Sequence, residues 1–207
     1  LMKSRRQLRL ERALIYGFLI TVSLFACDDG ASQCITEQQT IPAGDLALVG
    51  EFQNRVEEYV ALHRLLEGQV PTLEVSEDPK EIRAAIEALQ EKLRQARATA
   101  TQGDIFTAEI SHLFRRLIRD AFPRSETFRL LSMIAEETTE APIRPRVNAS
   151  YPAGAALSMM PPRLLLMFPL LPEELQYRFV DQDLILWDVH ANLVVDVVPN
   201  AIALDLS

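Results

Sequence analysis

The chain of 207 residues is 48% hydrophobic and 24% charged, and its 29 acidic against 21 basic residues leave a net charge of -8. This composition excludes a disordered or fibrous protein and is enough for one well-buried domain, or for a helical part joined to a small β part. Without the five basic residues and one acid of its first 26 positions, the remainder holds 16 basic and 28 acidic residues, a charge of -12 that repels nucleic acid and anionic lipid.

Residues 1–26 read as a signal peptide: Lys3, Arg5, Arg6, Arg9 and Arg12 precede an uncharged apolar segment from Ala13 to Phe25 that is short for a membrane span. Leu24-Phe25-Ala26-Cys27 then resembles the lipoprotein box of bacterial exported proteins. The resemblance implies lipidation at Cys27 and an anchor on the extracytoplasmic side of the bacterial envelope. Cleavage with release, or retention of an uncleaved anchor, are the alternatives, and cleavage upstream would leave Cys27 and Cys34 to close a small loop. Positions 27–44 are polar and predict a flexible tether.

The region 45–140 predicts about four helices. Val49, Phe52, Val56, Tyr59, His63 and Leu66 recur at alternating three- and four-residue spacing, from an N-cap at Asp45 to a stop at Gly68. Asp78-Pro79 starts a second helix, with Ile82, Ile86, Leu89, Leu93, Ala96 and Ala100 on one stripe up to Gly103, and the two stripes predict an antiparallel hairpin. A third helix is expected from Thr107 to Ala121, ahead of Pro123, and a fourth, capped by Ser125, with Phe128, Leu131 and Ile134 inward. Positions 141–174 form a Pro-rich connector, in which Pro161–Pro169 predicts a buried helical turn.

From 175 onward the pattern changes to β. Leu175–Val180, Leu184–Trp187 and Leu193–Val198, separated by Asp181-Gln182-Asp183 and by Asp188–Asn192 and ended by Pro199, predict a three-stranded antiparallel meander. Strict alternation places Ile185, Trp187, Val194 and Val198 opposite in phase to Leu184, Leu186, Val195 and Val197, so both faces are apolar. The fold class expected is therefore α+β: an N-terminal helical hairpin or bundle followed by a small C-terminal meander.

Two clusters have ligand chemistry. Asp188, His190 and Asp196 in the meander offer carboxylates and an imidazole, the groups of metal sites and of acid-base catalysis, and Asp188-x-His190 sets both on one side of a strand. The plain structural account is that such aspartates cap turns, while Asp196, among four valines, must face solvent or pair with a cation such as Arg178. On the third helix His112, Arg115, Arg116 and Arg119 share a face that can hold a phosphate or carboxylate, or can simply be a solvated face. His63, in an apolar stripe, reads as a core or boundary histidine. The chain has no Gly-rich phosphate loop, no HExxH and no GxSxG, and nothing in it calls for a cofactor.

The leader, the hairpin and the phrases Leu171-Pro-Glu-Glu-Leu-Gln-Tyr-Arg-Phe-Val180 and Ala191-Asn-Leu-Val-Val-Asp196 resemble a group of uncharacterised exported bacterial proteins. The final hairpin is loosely similar to the C-terminal strand pair of small periplasmic proteins linked to nickel and cobalt homeostasis. The reading that follows is a non-enzymatic, envelope-anchored protein that binds a protein partner or a second copy of itself. Its alternative is a periplasmic binder of a metal or small ligand, or a hydrolase, using Asp188, His190 and Asp196.

Overall fold

The computed structural model describes residues 43–70, 78–137, 144–151 and 160–202; the leader with Cys27, Cys34 and most of the tether lie outside the described residues. A 3-10 turn at Ala43–Asp45 leads into helix α1, Leu46–Glu67. The heptad-like spacing of its apolar residues has the predicted result: Val49, Phe52, Val56, Tyr59 and His63 are all buried along one stripe, and Gly68 closes the helix. Helix α2, Pro79–Ala96, begins where Asp78 accepts a bond from the Lys80 amide and Pro79 needs no partner of its own. It buries Ala85, Leu89, Gln90 and Leu93, then ends four residues short of the expected Ala100. There the chain turns away, with Gly103 at φ +99° and the Asp104 carboxylate accepting from the Thr101 amide and hydroxyl.

Helix α3, Ala108–Ala121, is capped by the Thr107 hydroxyl and buries Ile110, Leu113, Phe114, Leu117 and Ile118. Helix α4, Arg124–Glu137, turns Ile134 inward and rests Leu131 against the core as its spacing predicts, but not Phe128. Leu130 and Ile134 are buried while Phe128 is 67% exposed, because Leu130, two positions on, is the residue that reaches the core. The four-residue helix α5, Pro162–Leu165, buries Leu164, and Met160, Met167 and Phe168 around it are buried too. No helix among the described residues is long and apolar enough to cross a membrane.

Strands β1 (Leu175–Val180), β2 (Asp183–Asp188) and β3 (Leu193–Val198) form an antiparallel sheet in the order β1-β2-β3, so the chain has the α+β architecture its pattern implies. A two-residue turn joins β1 to β2, with Asp181 at φ 56°, and Asn192 at φ 48° ends the β2–β3 turn; Asp and Asn tolerate this region better than other residues with a side chain. One face packs on the helices through a run of rings: Phe106 and Phe114 lie 5.1 Å apart, Phe114 and Phe168 4.8 Å, and Phe168 and Tyr177 5.0 Å. The other face carries a smaller cluster of Tyr151, Val180, Ile185, Val194 and Val197, with Trp187 beside it. The phase along β3 departs from strict alternation, because Leu186 pairs with Asp196 and Trp187 with Val194. Val195 is the extra residue of a bulge, which sends Val195 and Val198 to the helices and Val194 and Val197 to the Trp187 side.

Candidate metal centre

The last two turns of α1 and the β2–β3 turn meet at one corner. Tyr59, His63 and Glu67 follow one another at four-residue steps on one face of α1. Opposite them stands Asp188, the last residue of β2 and fully buried. One carboxylate oxygen, Oδ1, accepts from the His190 and Ala191 amides at 3.0 and 2.8 Å, which folds the turn back on itself. The other, Oδ2, accepts from the Tyr59 hydroxyl and from His63 Nδ1, both at 2.6 Å. Four donors on two oxygens satisfy a buried anion.

This arrangement decides what His63 can do. A carboxylate only accepts, so Nδ1 carries the proton and Nε2 is left with its lone pair or a second proton. Nε2 is buried without a hydrogen-bond partner, 3.5 Å from Glu67 Oε2. Glu67 Oε1 in turn lies 3.0 Å from Nδ1 of His190, and the two imidazole rings are 5.5 Å apart. One atom each from His63, Glu67 and His190 falls within 4.8 Å of the others. Two nitrogens and a carboxylate oxygen so placed need only small side-chain shifts to surround one ion at roughly 2.0–2.2 Å. With no thiolate among them, they suit zinc, cobalt or nickel better than a soft monovalent metal or a hard all-oxygen cation.

The surrounding charge favours a cation. Burial lowers the pKa of His63, but the hydrogen bond and charge of Asp188, with the charges of Glu67 and Glu174, outweigh it and raise the group above its ordinary value. Burial, with Asp188 behind it, pushes the Tyr59 hydroxyl well up, so it remains a neutral donor. The site also lies at the carbonyl end of a 22-residue helix, the negative end of its dipole. The turn that carries His190 is held from behind by Gln90 of α2, whose Nε2 donates to the Ala191 and Asn192 carbonyls at 3.0 Å each.

Of the residues singled out from the sequence, Asp188 and His190 meet here, Asp188 as the partner of a histidine rather than as a ligand. Asp196 is elsewhere: fully buried, it neither faces solvent nor pairs with Arg178, but accepts from the amides of Gly103, Ile105, Phe106 and Val197 at 2.8–3.0 Å. The α3 cations do not converge. Arg115 donates to the Pro199 carbonyl, Arg116 pairs with Asp45, and His112 and Arg119 are exposed. Glu67 is not among the residues singled out, and His63 is expected from its stripe to be a core or boundary histidine, although a His and a Glu four apart on one helix share a face and can ligate together. No family model matches the chain, nor does any curated protein or solved structure.

Proposed function

We propose that this protein binds a divalent transition-metal ion through His63 Nε2, the Glu67 carboxylate and His190 Nδ1, as an exported protein anchored to the bacterial envelope. The observation that carries the reading is the buried His63 ring, gripped at Nδ1 by Asp188 and presenting an unpartnered Nε2 to Glu67 and His190. A carboxylate behind a ligating imidazole fixes its orientation and raises its basicity, the usual support of a metal-bound histidine. The anchor rests on the leader and on Leu24-Phe25-Ala26-Cys27. Equilibrium dialysis of the purified protein against Zn²⁺ is the test: one ion per chain is expected, lost in His63→Ala and in His190→Ala and kept in the exposed-site control His112→Ala. Binding that persists unchanged in His63→Ala removes the reading.

A second reading, binding of a protein partner or self-association, is favoured by Leu166 and Leu170, which are 82% and 86% exposed beside an apolar groove lined by Leu165, Leu171 and Tyr177. Sedimentation of the wild type and of the Leu166→Asp/Leu170→Asp double variant tests it. A wild-type dimer that the variant dissolves supports self-association, and a wild-type monomer rules it out.

A further inference from the structure

Beside His63 the corner holds another buried polar atom with no hydrogen-bond partner, and it belongs to a residue outside the three ligands. Glu174 stands just before β1, 2% exposed, with its carbonyl accepting the Val189 amide at 2.9 Å. This places its main chain across from the very turn that carries Asp188 and His190, since Leu175 pairs with Asp188 in the sheet. Its side chain reaches α1, where Oε1 accepts from Nε of Arg64, the neighbour of His63, while Oε2 is buried with no partner. A shielded carboxylate oxygen without a donor is costly, and the group is not relieved by taking up a proton. Burial pushes its pKa up, but the Arg64 hydrogen bond, its own backbone amide and the charges of Arg64 and His63 bring it below the usual carboxylate range.

The ligand count raises the complementary question. The described residues supply three donors, and zinc and cobalt take at least four. Glu67 and His190 are about one-third exposed, at 36% and 35%, so the side of the site that His63 does not occupy faces water. Three protein ligands with one solvent-facing position is the pattern of an exchangeable site rather than of a closed structural one.

We infer that the metal site is open, its remaining position taken by a water whose proton is accepted by Oε2 of Glu174, which makes Glu174 a positioning residue of the site. The inference rests on the metal reading proposed above. A carboxylate so placed holds the water and, through its charge, repels competing anions. Glu174→Gln keeps an oxygen for Arg64 but replaces the unpartnered acceptor Oε2 with an amide N–H, so it reverses both effects. Arg64→Gln removes the cation and leaves the Glu174 carboxylate, so it isolates whatever Glu174 does merely by bracing the helix.

Co²⁺ serves as the probe, because its visible spectrum reports coordination, and azide serves as the competing anion. Added azide is expected to alter the spectrum of the wild-type Co²⁺ protein. Glu174→Gln is expected to bind Co²⁺ about 10-fold more weakly and azide several-fold more tightly, while Arg64→Gln binds azide as the wild type does. A Co²⁺ spectrum indifferent to azide overturns the open site and leaves the metal reading standing. Azide binding that rises equally in both variants, or in neither, overturns the role of Glu174. If the wild type binds no Co²⁺, the metal reading itself fails and the inference falls with it.

Discussion

The sheet buries two aspartates, and the difference between them separates what holds this protein together from what it offers to a ligand. Both Asp188 and Asp196 are fully shielded, and each accepts four hydrogen bonds. All four donors to Asp196 are main-chain amides, three of them from the 103–106 loop that leads into α3. Its charge is spent on backbone that cannot exchange it for anything. Asp188 gives one oxygen to the amides of its own turn and the other to two side chains of α1. Because one of these is an imidazole, the negative charge is relayed to an atom that faces Glu67 and His190. A buried carboxylate among amides is a clamp; the same group against an imidazole becomes part of a site.

The largest effect that tests this contrast is the loss of the clamp. Asp196→Ala leaves three loop amides and the Val197 amide without an acceptor, and unfolding free energy should fall by about 3–5 kcal/mol in urea denaturation. Zn²⁺ affinity of the folded fraction should be unaltered. A loss under about 1 kcal/mol, or metal binding that weakens with it, breaks the comparison, because the two aspartates would then share one role.

Next in size is Asp188→Asn, which is nearly isosteric but cannot accept from four donors at once. Its amide either opposes Nδ1–H of His63, forcing the ring to present the wrong tautomer, or displaces Tyr59 or the turn amides. Zn²⁺ affinity should drop about 10- to 100-fold, as removal of a carboxylate behind a ligating histidine does, and stability should drop by about 1–3 kcal/mol. Dialysis and denaturation on the same preparation read both. Full metal affinity in this variant would mean that His63 needs no partner to be oriented.

Much of the frame in which these residues sit is legible in the chain itself. The stripe of α1, the Asp78-Pro79 start of α2, the Thr107 to Ala121 span of α3 and the three strands with their Asp and Asn turns all follow from spacing and capping, which are local. Asp196 escapes such reading because its donors are 90 to 93 positions away, apart from its own neighbour Val197. The bulge at Val195 shifts the phase of β3 by one residue, and no alternation rule contains it. In α4, Phe128 and Leu130 are equally apolar in sequence, and only the tertiary packing decides between them. The candidate site combines both cases: His63 and Glu67 are a local pair, whereas Asp188 and His190 reach them across 125 and 123 positions. Nothing short of the fold joins them.

The smallest effect, and the sharpest for the contrast, is on the pH dependence of stability. His63 lies in the Asp188 corner, and its pKa in the folded protein is raised, burial being outweighed by the hydrogen bond and charge of Asp188 and the charges of Glu67 and Glu174. A raised folded-state pKa means that the native protein holds this proton more tightly than the unfolded chain. The stabilisation is therefore complete below the unfolded pKa of about 6.5 and is lost as pH rises through the folded value. Metal-free protein, unfolded in urea at a series of pH values from about 6 upward, should lose stability over that window, and His63→Gln should remove the slope. Asp196→Ala should lower the whole curve and keep its slope, since no proton on His63 depends on that clamp. Saturating Zn²⁺ should flatten the curve as His63→Gln does, because the ion takes Nε2 in place of the proton and no longer leaves as pH rises. If the metal-free slope survives in His63→Gln, the proton belongs to another group and the relay from Asp188 through His63 is broken at its first link.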